Sequence, residues 1–240
     1  MKRLRFVVTA GPTREHLDPV RFLSNPSTGK MGFAVARAAA ARGHEVVLVA
    51  GPVSLKTPKG VRRVDVVSAR EMLAAVEREL LSPLPDLTAR ALAKAVPLTP
   101  TVFVSTAAVA DWRPAKCAAR KLKKGQMSDT LKLVRNPDIL KTVGRRLANS
   151  SSPSLPPPPT YLVGVAAETN DVIAEARRKC REKNLEMIVA NDVTEKGAGF
   201  GTDTNRVTLL RRDGSVEKLP MMTKLAVARR IVRACEDFCP

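Results

Sequence analysis

Leu4-Arg5-Phe6-Val7-Val8-Thr9, a polar stretch from Ala10 to Thr28, an alanine-rich run from Gly29 to Arg42 closed by Gly43, and Glu45-Val46-Val47-Leu48-Val49-Ala50 follow one another at the start of the chain. Their order decides the fold. The first six residues read as a buried strand. Gly29 to Arg42 has the composition of a helix, and Gly43 stands where a helix commonly ends in a left-handed residue. Glu45 to Ala50 reads as a second buried strand. Strand, loop, helix and strand make the opening unit of a doubly wound nucleotide-binding fold.

The alternation continues downstream. Val64 to Val67 is a short strand. Ser68-Ala69-Arg70-Glu71 is a capping box that opens a helix running to about Leu81. Strands follow at Thr101 to Thr106 and Leu131 to Val134. Asn136-Pro137 fits a helix start, with Asn as the cap and Pro in the first turn. Tyr161 to Val165 is a strand, Asp171 to Lys183 a helix and Met187 to Ala190 a strand. Val207 to Arg211 and Val216 to Leu219 flank Asp213-Gly214 as a hairpin. A last helix runs from about Thr223 to Phe238. The expected class is α/β: a Rossmann-like, doubly wound, mostly parallel sheet with helices on both faces and a C-terminal β-hairpin. Two segments read as insertions, the proline-punctuated 82–100 and the Ser/Pro-rich connector 149–160. Neither breaks the alternation, so one domain is expected over residues 1–240.

Composition narrows the class. Apolar residues make up 44% of the chain but aromatics only 3%, so the core must be built from Val, Leu, Ala and Ile. No apolar run is long enough to span a bilayer. The polar residues Thr9 to Glu15 cut the first apolar stretch too short for a signal peptide, so a cytoplasmic protein is expected. Cys117, Cys180, Cys235 and Cys239 form no C-x-x-C pair, and neither His16 nor His44 lies near one in sequence. Free thiols are expected rather than a zinc site. The net charge of +18 attracts anions. Nucleic acid is one such partner, but no nucleic-acid motif is present, and Trp112 and Tyr161 are the only Trp and Tyr for stacking.

The residues that carry chemistry fall at the carboxyl ends of the expected strands. Thr9-Ala10-Gly11-Pro12-Thr13-Arg14-Glu15 follows the first strand. Asn25-Pro26-Ser27-Thr28-Gly29-Lys30-Met31-Gly32 opens the first helix, where small residues leave backbone N–H groups open to an anion. A capped helix with glycines for close packing accounts for the same residues. Ala107 to Pro114 places Asp111 at the sheet edge. Lys121-Leu122-Lys123-Lys124-Gly125 suits a loop that closes over phosphates, or an ordinary solvated charge run. Lys179 and Lys183 share one helix face. An NAD(P)-dependent reductase is the main rival reading. Against it, no G-x-G-x-x-G follows the first strand, the second ends Val49-Ala50-Gly51-Pro52 without an acidic residue, and Tyr161 has Val165 rather than Lys four residues on.

Taken in order, T-A-G-x-T-R-E, D-P-V-R-F, S-N-x-S-x-G-K-M-G, A-A-V-A-D-W, K-L-K-K, N-P-D-I-L, A-A-E-T-N and A-N-D resemble bacterial phosphopantothenoylcysteine synthetase from Val7 to about Arg230. The resemblance implies a ligase that joins 4'-phosphopantothenate to L-cysteine with CTP and Mg²⁺ through an acyl-cytidylate, releasing CMP and pyrophosphate. It implies that Asp111, Lys121, Pro137, Asp138, Ile139, Leu140, Val165, Lys179 and Lys183 contact CTP. Gly11, Ser27, Thr28 and Gly29 face its phosphates. Arg21, Asn25 and Ala108 serve the pantothenate side, with Asn25 as a donor to the oxyanion and Lys121 as the second catalytic group. A homodimer is implied, with the Val207 to Leu219 hairpin a candidate contact. Two departures stand out. Val165 replaces a usual Phe, and no flavin-dependent decarboxylase half precedes the first strand. A stand-alone ligase served by a separate decarboxylase and a truncated bifunctional chain both fit.

Overall fold

The computed structural model describes residues 3–81, 99–123, 130–149, 159–168, 171–192, 195, 197–199 and 201–239. Most of both expected insertions lies outside the described residues. The second is also narrower than the sequence implied, since Asn149 ends a helix and Thr160 starts a strand.

Among the described residues the central sheet has eight strands. In spatial order they are β13 (Val216–Lys218), β12 (Val207–Arg211), β10 (Met187–Asp192), β9 (Thr160–Glu168), β6 (Thr101–Ser105), β1 (Arg5–Ala10), β4 (Glu45–Ala50) and β5 (Arg62–Asp65). All neighbours from β10 to β5 run parallel. β12 and β13 close one edge as the antiparallel hairpin read from Asp213-Gly214. Strand order reverses between β1 and β6, because the chain leaves β1 toward β4 and later returns to β6 on its other side. Loops diverge there at the carboxyl ends, which opens the crevice in which such folds bind ligands.

Side-chain alternation along β1 splits the core in two. Phe6 and Val8 pack with Phe33, Ala36 and Ala39 of α1 (Lys30–Ala41) and Val227, Ile231 and Val232 of α5 (Lys224–Asp237). Val7 faces the other layer, with Met72 and Val76 of α2 (Ala69–Leu81), Ile139 and Val143 of α3 (Ile139–Asn149) and Cys180 of α4 (Val172–Glu182). All four cysteines are free, and Cys180, Cys235 and Cys239 are buried. Among the described residues no helix is long and apolar enough to cross a membrane.

Helix starts follow the sequence with one correction. Ser68 Oγ accepts from Glu71 N (3.3 Å), the first half of the capping box, while Glu71 Oε2 reaches past Ser68 to Val67 N (2.8 Å). The buried Glu15 also caps α2, accepting from Ala69 N at 2.9 Å. Thr223 caps α5 through Ala226 N. The cap of α3, however, is Asp138, whose Oδ1 accepts from Lys141 N at 3.0 Å. Asn136 instead donates to Ala110 O at 2.8 Å and ties two loops together.

Three short pairs lie outside the main sheet. β2 (Arg14–His16) pairs with β3 (Phe22–Ser24), inside what the sequence presents as a plain loop. β7 (Trp112–Pro114) pairs with β8 (Leu133–Arg135), so the strand expected near Leu131 joins a hairpin and not the core. β11 (Thr204–Asn205) pairs with β14 (Met222–Thr223).

The alanines of α1 let the helix lie close on β1, and Gly32 marks the tightest point. A Cβ there would overlap Thr106 Oγ1 and Ala10 Cβ. Gly32→Ala is therefore expected to destabilise the fold by about 1–3 kcal/mol through overpacking. Urea unfolding measures it, and an unchanged midpoint would show that α1 moves away at no cost.

Candidate active site

The loops after β1 and β6 meet above the point where strand order reverses. Thr106 Oγ1 donates to Thr9 O (2.5 Å), Ala107 N to Thr9 Oγ1 (3.3 Å), Ala108 N to Gly11 O (2.9 Å) and Ala110 N to Thr13 Oγ1 (3.0 Å). Thr9 and Thr13 are buried, so these bonds are made away from water. Gly11 and Gly29 both have positive φ, 81° and 78°, and a Cβ on Gly29 would come within 3.3 Å of Gly11 Cα. The two glycines thus allow the first loop to fold back beneath the start of α1.

Asn25 completes the arrangement. Its Nδ2 donates to Ala108 O at 3.1 Å and Val109 O at 3.2 Å. Carbonyl oxygens only accept, so the partners fix which end of the amide faces them. Both N–H groups are therefore committed to the β6 loop. The donor role toward an oxyanion that the sequence implied for Asn25 has no free N–H in this geometry.

A cavity of about 720 Å³ opens beside this junction. Its wall gathers Asn25 and Ala108 from the two loops, Asp111, the helix start formed by Pro137, Asp138, Ile139 and Leu140, Val165 within β9, and Lys179 and Lys183 of α4 and its end. These positions come from five separated stretches of the chain. Their volume suits a small molecule the size of a nucleotide. A smaller cavity of about 150 Å³ adjoins it through Ala107, Ala108, Val165, Ala166 and Ala167, and contains Ser27, Thr28 and Gly29 at the start of α1. The helix N-terminus there offers unsatisfied N–H groups to an anion.

Three expected site residues line neither cavity. Gly11 is spent on the close approach to Gly29. Arg21 binds Asp18 Oδ2 through Nε (3.1 Å) and Nη2 (2.5 Å), and donates to Leu122 O (2.8 Å). Lys121 is exposed on the stretch that ends the described part of the lysine run, and Lys124 and Gly125 lie outside the described residues.

Several cations of the site already hold carboxylates. Lys183 Nζ lies 2.7 Å from Asp138 Oδ2. Burial works against the Asp138 charge, but the Lys183 ammonium and the Lys141 amide outweigh it and keep the carboxyl below its usual range. Lys30, the first residue of α1, pairs with Asp203 (2.7 Å) and donates to Gly201 O (2.8 Å). Lys224 is buried at the smaller cavity and donates to Thr202 O at 2.6 Å; burial first, and the nearby Lys30 charge second, push it down.

Among the described residues no group of three or more His, Cys, Asp or Glu side chains is placed to hold a metal. Magnesium carried in on nucleotide phosphates needs only one or two protein carboxylates. Asp111, exposed on the cavity wall, fits that need.

The sequence reading passed over Trp112 and Arg135, which line the larger cavity with the guanidinium 5.2 Å from the ring centroid. A lone tryptophan directly after Asp111, at the carboxyl edge of a strand, was the available signal.

Comparison with known proteins agrees with this fold. The family described as DNA/pantothenate metabolism flavoprotein C-terminal domain matches residues 1–238. The coenzyme A biosynthesis bifunctional protein CoaBC of Vibrio cholerae is 44% identical over 235 residues, 97% of this chain and 52% of that protein. Its counterpart in Bacillus subtilis is 44% identical over 228 residues, 95% of this chain and 50% of that protein. The chain thus spans about half the length of the curated relatives it matches. A crystal structure of the C-terminal domain of CoaBC superposes with a TM-score of 0.74 at 39% identity, covering 99% of this chain and 96% of that one. A Cab2 mutant in complex with phosphopantothenate-cysteine shares the fold, with a TM-score of 0.67 at 15% identity, covering 98% of this chain and 86% of that one. On the family match and the near-complete coverage of the solved domain, the chain belongs to the DNA/pantothenate metabolism flavoprotein C-terminal domain family.

Proposed function

We propose that this chain is a phosphopantothenate–cysteine ligase that activates the substrate carboxylate with CTP. The observation that carries the reading is the larger cavity, which draws Asn25, Ala108, Asp111, the Pro137 to Leu140 helix start, Val165, Lys179 and Lys183 into one wall. A reductase would need a dinucleotide loop after β1, and Gly11 is instead packed against Gly29.

The chemistry has two steps. In the first, the carboxylate of 4'-phosphopantothenate attacks the α-phosphate of CTP, and the bond to pyrophosphate breaks. Two anions must approach, so catalysis here is positioning plus cancellation of charge. Lys179 and Lys183 on the wall supply that charge, and the resemblance adds Lys121, which lines neither cavity. Magnesium, held by the phosphates and Asp111, would neutralise the triphosphate further. The N–H groups at the start of α1 face the adjoining cavity, where a phosphate group gains from the helix dipole. In the second step the amine of L-cysteine attacks the acyl carbon. The C–O bond to the cytidylate breaks, CMP leaves with the bonding pair, and the surplus proton of the nitrogen goes to water. No protein thiol is needed, and three of the four are buried.

Asn25 serves this reading as a brace. It holds the Ala108–Val109 turn against the first loop, and that turn forms the wall on which the acyl group would rest. Helix α3, Lys179 and Lys183 belong to other segments and do not depend on it.

A homodimer belongs to the same reading. The β12–β13 hairpin leaves Val216 exposed at the sheet edge, while Phe22 and Leu133 are exposed on the β2–β3 and β7–β8 hairpins. A second copy covering such apolar surface is expected, and light scattering that finds a monomer at micromolar concentration would overturn it.

Purified protein given phosphopantothenate, cysteine, Mg²⁺ and each nucleotide in turn is expected to form phosphopantothenoylcysteine with CTP, as read by mass spectrometry. Product with ATP alone would overturn the nucleotide, and no product with any would overturn the ligase. Asn25→Asp sets a carboxylate against two carbonyl oxygens and displaces the brace. It is expected to release pyrophosphate once per site while the acyl-cytidylate persists, with transfer to cysteine slowed about 10²-fold, as for a misplaced reacting group. Equal loss of both half-reactions would mean that Asn25 organises the whole crevice.

A further inference from the structure

Asp18 is fully buried yet sits in the surface turn between β2 and β3. A buried carboxylate is costly unless every lone pair is used, and here they are. Oδ1 accepts from Val20 N and Arg21 N, both at 2.8 Å. Oδ2 accepts from Arg21 Nε and Nη2, and from Leu122 N at 3.2 Å. Arg21 Nη2 then donates to Leu122 O at 2.8 Å. One residue of a distant segment is thus held from both sides: its N–H by the Asp18 carboxylate, its C=O by the Arg21 guanidinium. One turn earlier, Ala118 N donates to Leu17 O at 2.8 Å. The Arg21 guanidinium, working against burial, holds the Asp18 carboxyl well below the usual aspartate range, with the amides of Val20, Arg21 and Leu122 adding to it.

Leu122 is flanked by Lys121 and Lys123, both exposed. A side-chain clasp on a single peptide unit fixes where the chain passes but leaves its neighbours' side chains outward. We propose that Asp18, through Arg21 and the Leu122 backbone, is the positioning residue that sets where Lys121 stands relative to the nucleotide. This rests on the ligase reading for the identity of the nucleotide, but not for the clasp itself. It also gives Arg21 a task other than the substrate contact implied by sequence: its fork is filled by Asp18 and Leu122 O. Lysine is a flexible point charge with little geometric preference of its own, so its value in the first step depends on a backbone held in place.

The test combines two readouts on the full chain. Single-turnover pyrophosphate release is measured for wild type, Asp18→Asn, Lys121→Gln and the double variant. Lys121→Gln is expected to slow release about 10²-fold, by analogy with loss of one oxyanion donor, and Asp18→Asn at least about tenfold. The double variant is expected to match Lys121→Gln alone within about twofold, because residues that act through one another are not additive. Multiplying effects, or a wild-type rate in Asp18→Asn, would overturn the proposal. Trypsin cleavage after Lys121 or Lys123, followed by intact mass, is expected to speed up in Asp18→Asn whatever the enzyme's substrate proves to be; unchanged cleavage would also overturn it. Arg21→Lys keeps a cation beside the buried carboxylate but removes the guanidinium fork that holds Leu122 O, and it leaves the backbone at Lys121 untouched. It is expected to reproduce both effects even if Asp18→Asn fails to fold, and wild-type behaviour would sink the clasp. A wild type that releases no pyrophosphate with any nucleotide, while the cleavage result holds, would remove the ligase and leave the clasp.

Discussion

The cavity exists because two loops hold each other across the break in strand order. Strands β1 and β6 are neighbours, yet their loops must part to leave space for a ligand. What stops them from collapsing or splaying is a set of side-chain to backbone bonds: Thr9 and Thr106, Thr13 with Ala110, Asn25 with Ala108 and Val109, Asn136 with Ala110. Each is worth about 0.5–1.5 kcal/mol net, but losing one partner strands a buried group at about 1–3 kcal/mol. The asymmetry matters more than the sum. A loop that must keep every one of these bonds has few alternative shapes, so the wall is formed before any ligand arrives, and ordering it on binding costs little.

Much of this was legible in the sequence, and the failures share a cause. The opening unit, the parallel alternation, the Ser68 cap and the C-terminal hairpin rest on period and capping, which are local properties, and they stand in the structure. The residues of the larger cavity were legible only as motifs in order, because β9, α3 and α4 come together by topology. What could not be read was the direction of each polar side chain. Asn25 looked like a donor to substrate but turns both N–H groups onto carbonyls. Asn136 looked like a helix cap, yet the next carboxylate, Asp138, takes the cap. Glu15 and Asp18 carry no task legible in the sequence, yet one caps a helix 54 residues away and the other clasps a segment 104 residues away. β2, β3 and β7 are three residues long, too short for alternation to register, and the strand read near Leu131 showed nothing of its partner β7.

The cations of the site bring a further constraint. A chain with net charge +18 draws anions to itself, but Lys30, Lys183 and Arg21 meet them already paired to Asp203, Asp138 and Asp18. Such pairs differ in what they can yield. Asp18 is fully buried and saturated with donors, so Arg21 cannot leave it without stranding a charge. Asp203 and Asp138 keep side chains that are 87% and 42% exposed, so water can take over their solvation when a phosphate draws the lysine away. Exposure therefore sorts the basic residues by task. Those paired to exposed carboxylates can exchange partners during binding, and the one paired to a buried carboxylate can only hold the chain. The same physical chemistry explains why the motif lysines and the motif arginine, alike in sequence, do different work once the chain is folded.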